Sequence, residues 1–500
     1  MSTPTDVSSL LVDPLWRAED LGRPLPNSVH AASVCLPTWR DTIGYEENDP
    51  RMRNALQAGY PRFVIHPLCQ KLFARCVERF GPADAQCYAF PTARSAQRFS
   101  DFLRTKTGQP SLTTHDAGGY FACLFTAEQA SAAKSYWQHT GEGISSRLAE
   151  QALNAWPNAI ECNDGHTAKQ TIRRRLADAY GCDPIDIFLF PAGMTAIYTA
   201  HRALTQLHGQ VTGVQFGFPY VDTLKVLQKF GAAQFCPNAS RAELQQLEQS
   251  LKAGGIAGVF TEHPTNPLLL CPNLAELSRI TREHGAALIV DDTLATPVNT
   301  DVLPACDIVC SSLTKFFSGI GDVTAGALVL NRNGPMYAEL RRAMDAVYDD
   351  LFFAGDAEVL ERNSRTWVER VRRINVNAER VADAMKQRPK VAAVHYPKFQ
   401  SPSTCDSYRR PDGGYGGLMS LVLHNAADVT ARFFDALRLN KGPNLGTEFT
   451  LACPFTILAH YDELDFAESC GVSRYLIRLS IGLEPAEELI RRLDDALAAI

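Results

Sequence analysis

Several quick assignments are closed off by what this sequence lacks. None of its fourteen cysteines forms a Cys-x-x-Cys pair, which argues against a zinc ribbon or a dithiol redox site, and no metal site is expected. Cys35, Cys123 and Cys310 sit in apolar surroundings, so buried free thiols in a reducing compartment, most simply the cytoplasm, are expected. No apolar run approaches the length of a membrane span, and no membrane partner is expected. Basic excess is missing too: 49 Lys plus Arg against 55 Asp plus Glu leave a net charge of −6, with no basic block to grip nucleic acid. The first residues carry Asp6, Asp13, Glu19 and Asp20 around Pro14, which suits neither a secretory nor a transit leader. No Gly-x-Gly-x-x-Gly follows a strand-like run, and neither His-Glu-x-x-His nor Gly-x-Ser-x-Gly occurs. Nicotinamide dehydrogenases, zinc hydrolases and serine hydrolases are therefore disfavoured.

What is there centres on Ala286 to Lys315. Ala286 to Val290 is an apolar run with the length of a strand buried on both faces, and it ends on an acid, Asp291. A second run, Asp307 to Cys310, empties into Ser311-Ser312-Leu313-Thr314-Lys315. In a parallel sheet both carboxyl ends share one edge, where α/β folds bind ligands. Hydroxyls with a lysine suit a phosphate, and a buried acid opposite suits a cation. Pyridoxal 5′-phosphate carries both, together with an aldehyde that needs a lysine.

The 500 residues suggest roughly two to four domains. Residues 1–67 read as an N-terminal arm rich in proline, and within it Pro61 and Pro67 hold Tyr60 and Arg62 in extended backbone. A phenol beside a guanidinium makes a phosphate clamp, or else an arginine stacked on its aromatic neighbours. Residues 68–175 read as a mostly helical insertion, with helix patterns at Leu68 to Arg79, Ser95 to Leu103 and Gly143 to Ala155. From 176 to 345 strand-like and helix-like runs alternate. Ile187 to Phe190 leads into Gly193 and Met194 at a helix start, Val214 to Phe216 leads to Tyr220, and Ile256 to Phe260 leads to a proline-fixed loop bearing Asn266. Residues 346–500 form a smaller α+β unit, with Gly416 to Leu423 and Tyr475 to Ile481 as strands and a last helix after Pro485. Arg478 lies in an otherwise apolar strand and needs a carboxylate, either internal or from a substrate.

In this order the motifs resemble the cystathionine γ-synthase-like (Cys/Met metabolism) family of pyridoxal-phosphate enzymes, fold type I. Val290 to Pro297 is similar to its "VDNTFATP", Ser311 to Lys315 to its "HSATK", Gly321-Asp322-Val323 to "SDV" and Ala192 to Ala196 to "SGMAA". Tyr220 to Thr223 resembles "YGGT", Pro264 to Pro267 is "PTNP", Tyr60-Pro61-Arg62 resembles "YSR" and Ile477 to Glu484 resembles "VRLSVGLE". The stretches Ser33 to Trp39, Lys441 to Pro454 and Leu458 to Ala467 resemble the long, fungal-type group. The resemblance implies an α/β fold: a mainly parallel seven-stranded sheet with helices on both faces, plus the smaller C-terminal domain.

It implies that Lys315 forms the Schiff base, Asp291 holds the pyridine nitrogen, and Tyr220 stacks. Gly193, Met194, Ser312 and Thr314 would bind phosphate, joined by Tyr60 and Arg62 reaching in from a neighbouring subunit. Asn266 would lie near the cofactor and the substrate carboxylate, which Arg478 grips. The family's usual assembly is a dimer of dimers, a homotetramer, and its substrates are small amino acids. Implied is γ-replacement on an O-acyl-L-homoserine, O-acetyl or O-succinyl, with cysteine to give cystathionine, as in transsulfuration. Lys315, Tyr220 and Tyr60 would handle protons. Asn444, in place of a serine, and Phe449, in place of a glutamate, would line the specificity loop. They leave open another thiol, a carbon nucleophile or a γ-lyase reaction.

Overall fold

Three sheets organise the chain in a computed structural model that describes residues 4–160, 164–210 and 212–500. The first holds β1 (Gln86–Phe90), β2 (Thr113–Asp116) and β3 (Phe121–Phe125), antiparallel in the order β1-β3-β2. The second holds β4 (Ile187–Phe190), β5 (Thr212–Phe216), β6 (Ala232–Cys236), β7 (Ile256–Glu262), β8 (Ala287–Asp291), β9 (Ile308–Ser311) and β10 (Gly326–Leu330). The third holds β11 (Val391–His395), β12 (Leu418–Leu423), β13 (Asn440–Lys441), β14 (Leu451–Pro454) and β15 (Ile477–Ser480).

The second sheet runs β4-β10-β9-β8-β7-β5-β6. Its neighbours are parallel except β10, which is antiparallel to both β9 and β4. Helices cover both faces, so its strands need apolar residues at every position. β4, β9 and β10 are buried throughout. Since β4 lies antiparallel to β10, it points the same way as β9, and the carboxyl ends of β4, β7, β8 and β9 come to one edge. Register aligns Glu262 on β7 with Asp291 on β8, and Asp291 with Cys310 on β9.

Residues 68–175 are not simply helical. The three-stranded sheet packs against the helices Pro67–Phe80 and Ala93–Thr107 around Phe73, Tyr88, Phe99, Phe125 and Trp137. Its strands escape sequence reading because the buried runs Cys87 to Phe90 and Ala122 to Phe125 are too short for periodicity to separate strand from helix. The boundary expected at 175 falls inside the helix His166–Tyr180, whose Ile172, Leu176 and Tyr180 belong to the core under the second sheet.

The C-terminal sheet runs β11-β12-β15-β14-β13. Its core packs on the helices Trp367–Lys386, Ala426–Ala436 and Ala486–Ala498. The arm expected to reach a neighbouring subunit lies along this same chain. Val7, Leu10, Leu25 and Cys35 pack with Phe449 and Leu451, and the Leu36 amide donates to the Lys441 carbonyl at 3.0 Å. The described cysteines are all free, and all but Cys182 are buried. Among the described residues no helix is long and apolar enough to cross a membrane.

Candidate active site

The edge formed by these strand ends opens into a cavity of about 760 Å³ that reaches from Asp291 and Lys315 to Arg478. Asp291 ends β8 because the next residues turn away: Thr293 donates its amide to Asp291 Oδ1 at 2.9 Å. Burial pushes the Asp291 carboxyl above its usual range, with Thr293 opposing. Asp291 forms no ion pair among the described residues, so the cavity holds an acid that awaits a cation. Glu262 sits beside it, accepting the amides of Tyr220 at 2.6 Å and Asn266 at 2.9 Å. Burial and the neighbouring Asp291 drive its carboxyl well up, toward the neutral form.

Lys315 donates through Nζ to Asn444 Oδ1 at 2.5 Å and lies 4.5 Å from the centre of the Tyr60 ring. Burial lowers the affinity of this amine for its proton; Tyr60 opposes that, while Arg478 and Arg62 add to it. Burial alone would raise the Tyr60 phenol, but Lys315 and Arg62 outweigh it and hold the phenol below its ordinary value. A lysine that deprotonates readily next to a phenol that ionises readily is an arrangement chemically suited to moving protons.

The wall above is an aromatic and guanidinium clamp. Arg62, 6% exposed, donates to the Tyr220 hydroxyl at 2.7 Å, to Asp222 Oδ2 at 2.7 Å and to the Gln138 carbonyl at 2.6 Å. Opposite it the helix Gly193–His208 begins with no side-chain cap, so its first amides and the positive end of its dipole face the cavity. Gly193 is needed here, because a Cβ on it would meet Ser312 Cβ at 2.7 Å. On the far side Arg478, 4% exposed, reaches Asn266 Oδ1 at 3.5 Å and the Pro443 carbonyl at 2.8 Å. Among the described residues it forms no ion pair with a carboxylate, and its hydrogen-bond partners are the Asn266 side chain and the Pro443 and Asn444 carbonyls.

Lys315, Asp291, Tyr220, Tyr60, Arg62, Gly193, Met194, Ser312, Asn266 and Arg478 all line this one cavity, and Asn444 touches it through Lys315. Two expected residues do not. Thr314 is fully buried, its hydroxyl accepting the Ala325 amide at 3.0 Å and donating to the Ala325 carbonyl, so it braces the strand exit. Phe449 packs with Val7, Leu10 and Leu25; an apolar ring takes the apolar seat that the arm provides rather than the polar cavity. Within the single chain Tyr60 and Arg62 lie against Lys315 and Tyr220. Sequence reasoning missed Glu262, which ends its strand on an acid as Asp291 does, and Asp222, a carboxylate where the family motif carries glycine. His139, which bonds Asp222 at 3.0 Å from 83 positions away, left no local signal.

Comparison with known proteins extends this geometry. The family model described as "Cys/Met metabolism PLP-dependent enzyme" matches residues 166–498. The chain belongs to that family. A second model, "Fungal trans-sulfuration enzyme, N-terminal domain", matches residues 68–145. The cystathionine gamma-synthase of Neurospora crassa is 33% identical, covering 96% of this chain and 98% of the relative. An L-2-amino-4-chloropent-4-enoate dechlorinase/desaturase of Streptantibioticus cattleyicolor is 32% identical, covering 95% and 97%. Among solved structures, the cystathionine gamma synthase of Xanthomonas oryzae pv. oryzae in complex with aminoacrylate and cysteine is similar at TM-score 0.58 and 25% identity, covering 67% of this chain and 88% of that one.

As a family member the chain is a fold type I enzyme that uses pyridoxal phosphate, and the cavity fits this cofactor. The unpaired Asp291 suits a protonated ring nitrogen. The uncapped helix start at Gly193, with Ser312 and Arg62, suits a phosphate. Lys315 lies between them, and its lowered proton affinity suits attachment to an aldehyde. The family's chemistry is γ-elimination and γ-replacement on small amino acids.

Proposed function

We propose that the enzyme performs γ-replacement on an O-acyl-L-homoserine, acetyl or succinyl, with cysteine as nucleophile to give cystathionine. The observation that carries this reading is Arg478: a buried guanidinium in the same cavity as Lys315, without a carboxylate of its own among the described residues. An amino-acid substrate supplies that carboxylate, and the pairing sets Cα toward Lys315 Nζ. Bound pyridoxal phosphate supplies an electron sink for the charge left when Cα loses its proton. Lys315, whose amine is readily neutral, takes that proton, passes it to the ionised Tyr60 phenol and, neutral again, takes one from Cβ. Tyr220, bonded to Arg62 and kept protonated chiefly by burial, stacks over the site where the substrate amine enters. The acyloxy group leaves Cγ as a carboxylate, the thiol sulfur bonds to Cγ as its proton is released, and Lys315 and Tyr60 return their protons to Cβ and Cα.

A second reading is γ-elimination, or replacement by another thiol or a carbon nucleophile. It is supported by Asn444 in place of the family's serine, bonded to the catalytic amine, and by similarity to the dechlorinase/desaturase. The two separate in one assay. The enzyme is incubated with O-acetyl- or O-succinyl-homoserine, with and without cysteine, and products are identified by mass. Cystathionine formed only with cysteine supports the synthase reading; keto acid formed equally in both sets rejects it.

A further inference from the structure

The turn that carries Lys315 ends on a buried cation. Its backbone coils like a short helix: the Lys315 amide donates to the Ser312 carbonyl at 3.3 Å, the Ser318 amide to the Leu313 carbonyl at 3.0 Å and the Gly319 amide to the Lys315 carbonyl at 2.8 Å. A coil that stops there leaves its last carbonyls without following amides, and that end carries partial negative charge. Arg370, buried on the helix Trp367–Lys386, meets it. Its Nη2 donates to the carbonyls of Phe316 at 3.2 Å, Phe317 at 2.9 Å and Ser318 at 3.1 Å. A Cβ on Gly319 would collide with the guanidinium, so the chain leaves the turn directly over this side chain.

The other end nitrogen of the guanidinium faces the 444–449 loop. Arg370 Nη1 donates to Glu448 Oε1 at 3.3 Å, and the Glu448 amide donates to the Gly319 carbonyl at 2.7 Å. Burial works against the charge on Arg370, and Glu448 opposes that effect. The same loop passes so near the lysine that a Cβ on Gly446 would meet Lys315 Cβ at 3.0 Å, and it presents Asn444 Oδ1 to Lys315 Nζ at 2.5 Å. Where the resembling family carries glutamate this chain has Phe449, whose ring packs on the arm. The carboxylate one residue earlier turns to Arg370 instead.

We propose that Arg370 and Glu448 are positioning residues for the reaction: Arg370 caps the turn that bears Lys315, Glu448 ties the 444–449 loop to that cap, and the pair thereby fixes Asn444 against the Lys315 amine. Neither residue touches the reacting atoms; both act through Asn444. One ion pair thus couples the loop in which this chain departs from its family, at Asn444 and Phe449, to the lysine that the cofactor requires. The inference rests on the cofactor that the family uses and not on the proposed substrate, so either can fail without the other.

The test reads the lysine-linked cofactor before any substrate is added. Visible absorption of the holoenzyme is titrated with pH for the wild type, Glu448→Ala, Arg370→Lys, Asn444→Ala and the double variant Glu448→Ala with Asn444→Ala. Tyr60, Arg62 and Arg478, the titratable groups that face the amine, are present in every one. Asn444 accepts from Lys315 Nζ, so moving it away favours the unprotonated nitrogen. The midpoint is expected to fall by about one pH unit in Glu448→Ala and in Arg370→Lys, as in Asn444→Ala. In the double variant the two changes are expected not to add, because each removes the same contact. A pair with a merely structural role would lower the thermal midpoint and leave the titration where it is. An unchanged titration midpoint in Glu448→Ala, or a shift that adds in full to that of Asn444→Ala, overturns the proposal. The Glu448 side chain is 23% exposed, so its truncation spares the core; if Arg370→Lys does not fold, Glu448→Gln, which removes the charge and keeps the shape, takes its place.

Discussion

Asp292 offers a quantitative check on the electrostatics of the cofactor edge. It follows Asp291 where the resembling motif has asparagine, it is fully buried, and it accepts the Tyr180 hydroxyl on Oδ2 at 2.9 Å. Its Oδ1 has no hydrogen-bond partner among the described residues. Burial pushes its pKa to about 7 from an ordinary 3.8, against the opposing Tyr180 and Ser311 hydroxyls. Because the folded value is the higher one, the native state holds a proton that the unfolded chain has released between those two values. Stability therefore falls as pH rises from about 4 to about 7 and stays lowered above that, by at most about 4 kcal/mol. Asp292→Asn keeps the shape and the Tyr180 hydrogen bond but carries no charge. The variant and wild type are expected to be close in stability at pH 4, and the variant to be more stable at pH 8 by about 1 to 4 kcal/mol. Urea unfolding of the holoenzyme at both pH values measures this. A gap that does not change with pH, or a wild type favoured at pH 8, refutes the reasoning.

Other perturbations separate the roles assigned above. Arg478→Ala is expected to lower kcat/KM about 10²-fold or more, chiefly through KM, because a buried carboxylate contact is lost; an unchanged KM for every amino-acid substrate tried counts against it. Lys315→Ala should abolish the visible band of lysine-linked cofactor and reduce turnover by about 10²- to 10⁴-fold, and full retention of either contradicts the assignment. Phe449→Ala should destabilise the fold by about 3–5 kcal/mol while leaving KM unchanged, since its ring packs on the arm; a KM change without loss of stability would return it to the cavity. Gly193→Ala drives a methyl group against Ser312 and should weaken cofactor binding more than about tenfold, measured by equilibrium dialysis.

The central sheet was legible where a strand is buried on both faces. Ile187 to Phe190 and Ala287 to Asp291 are continuous apolar runs of strand length, and they fold as such. Lys315 and Asp291 stood out because each follows such a run, a strand exit in a parallel sheet fixes which edge it serves, and both line the one cavity. Strands β1 and β3 were not, because four or five buried residues carry no period that distinguishes strand from helix. Phe449 shows another limit: a motif fixes a residue's position along the chain but not the direction of its side chain.

Sequence alone determined the fold class and, through the family motifs, the cofactor, and it singled out the amine and acid proposed to flank it, since these follow from short-range patterns and residue chemistry. Tertiary structure decided which groups meet across the chain. Asp222 lies 83 positions from His139 and 160 from Arg62, and the three share no local pattern. They are brought together by the packing of the N-terminal unit on the helices that follow β4 and β5. Buried charges need compensating partners; packing, and not composition, selected Asp222 as the partner of Arg62 and, among the described residues, left Arg478 lining the cavity with amide and carbonyl oxygens but no carboxylate.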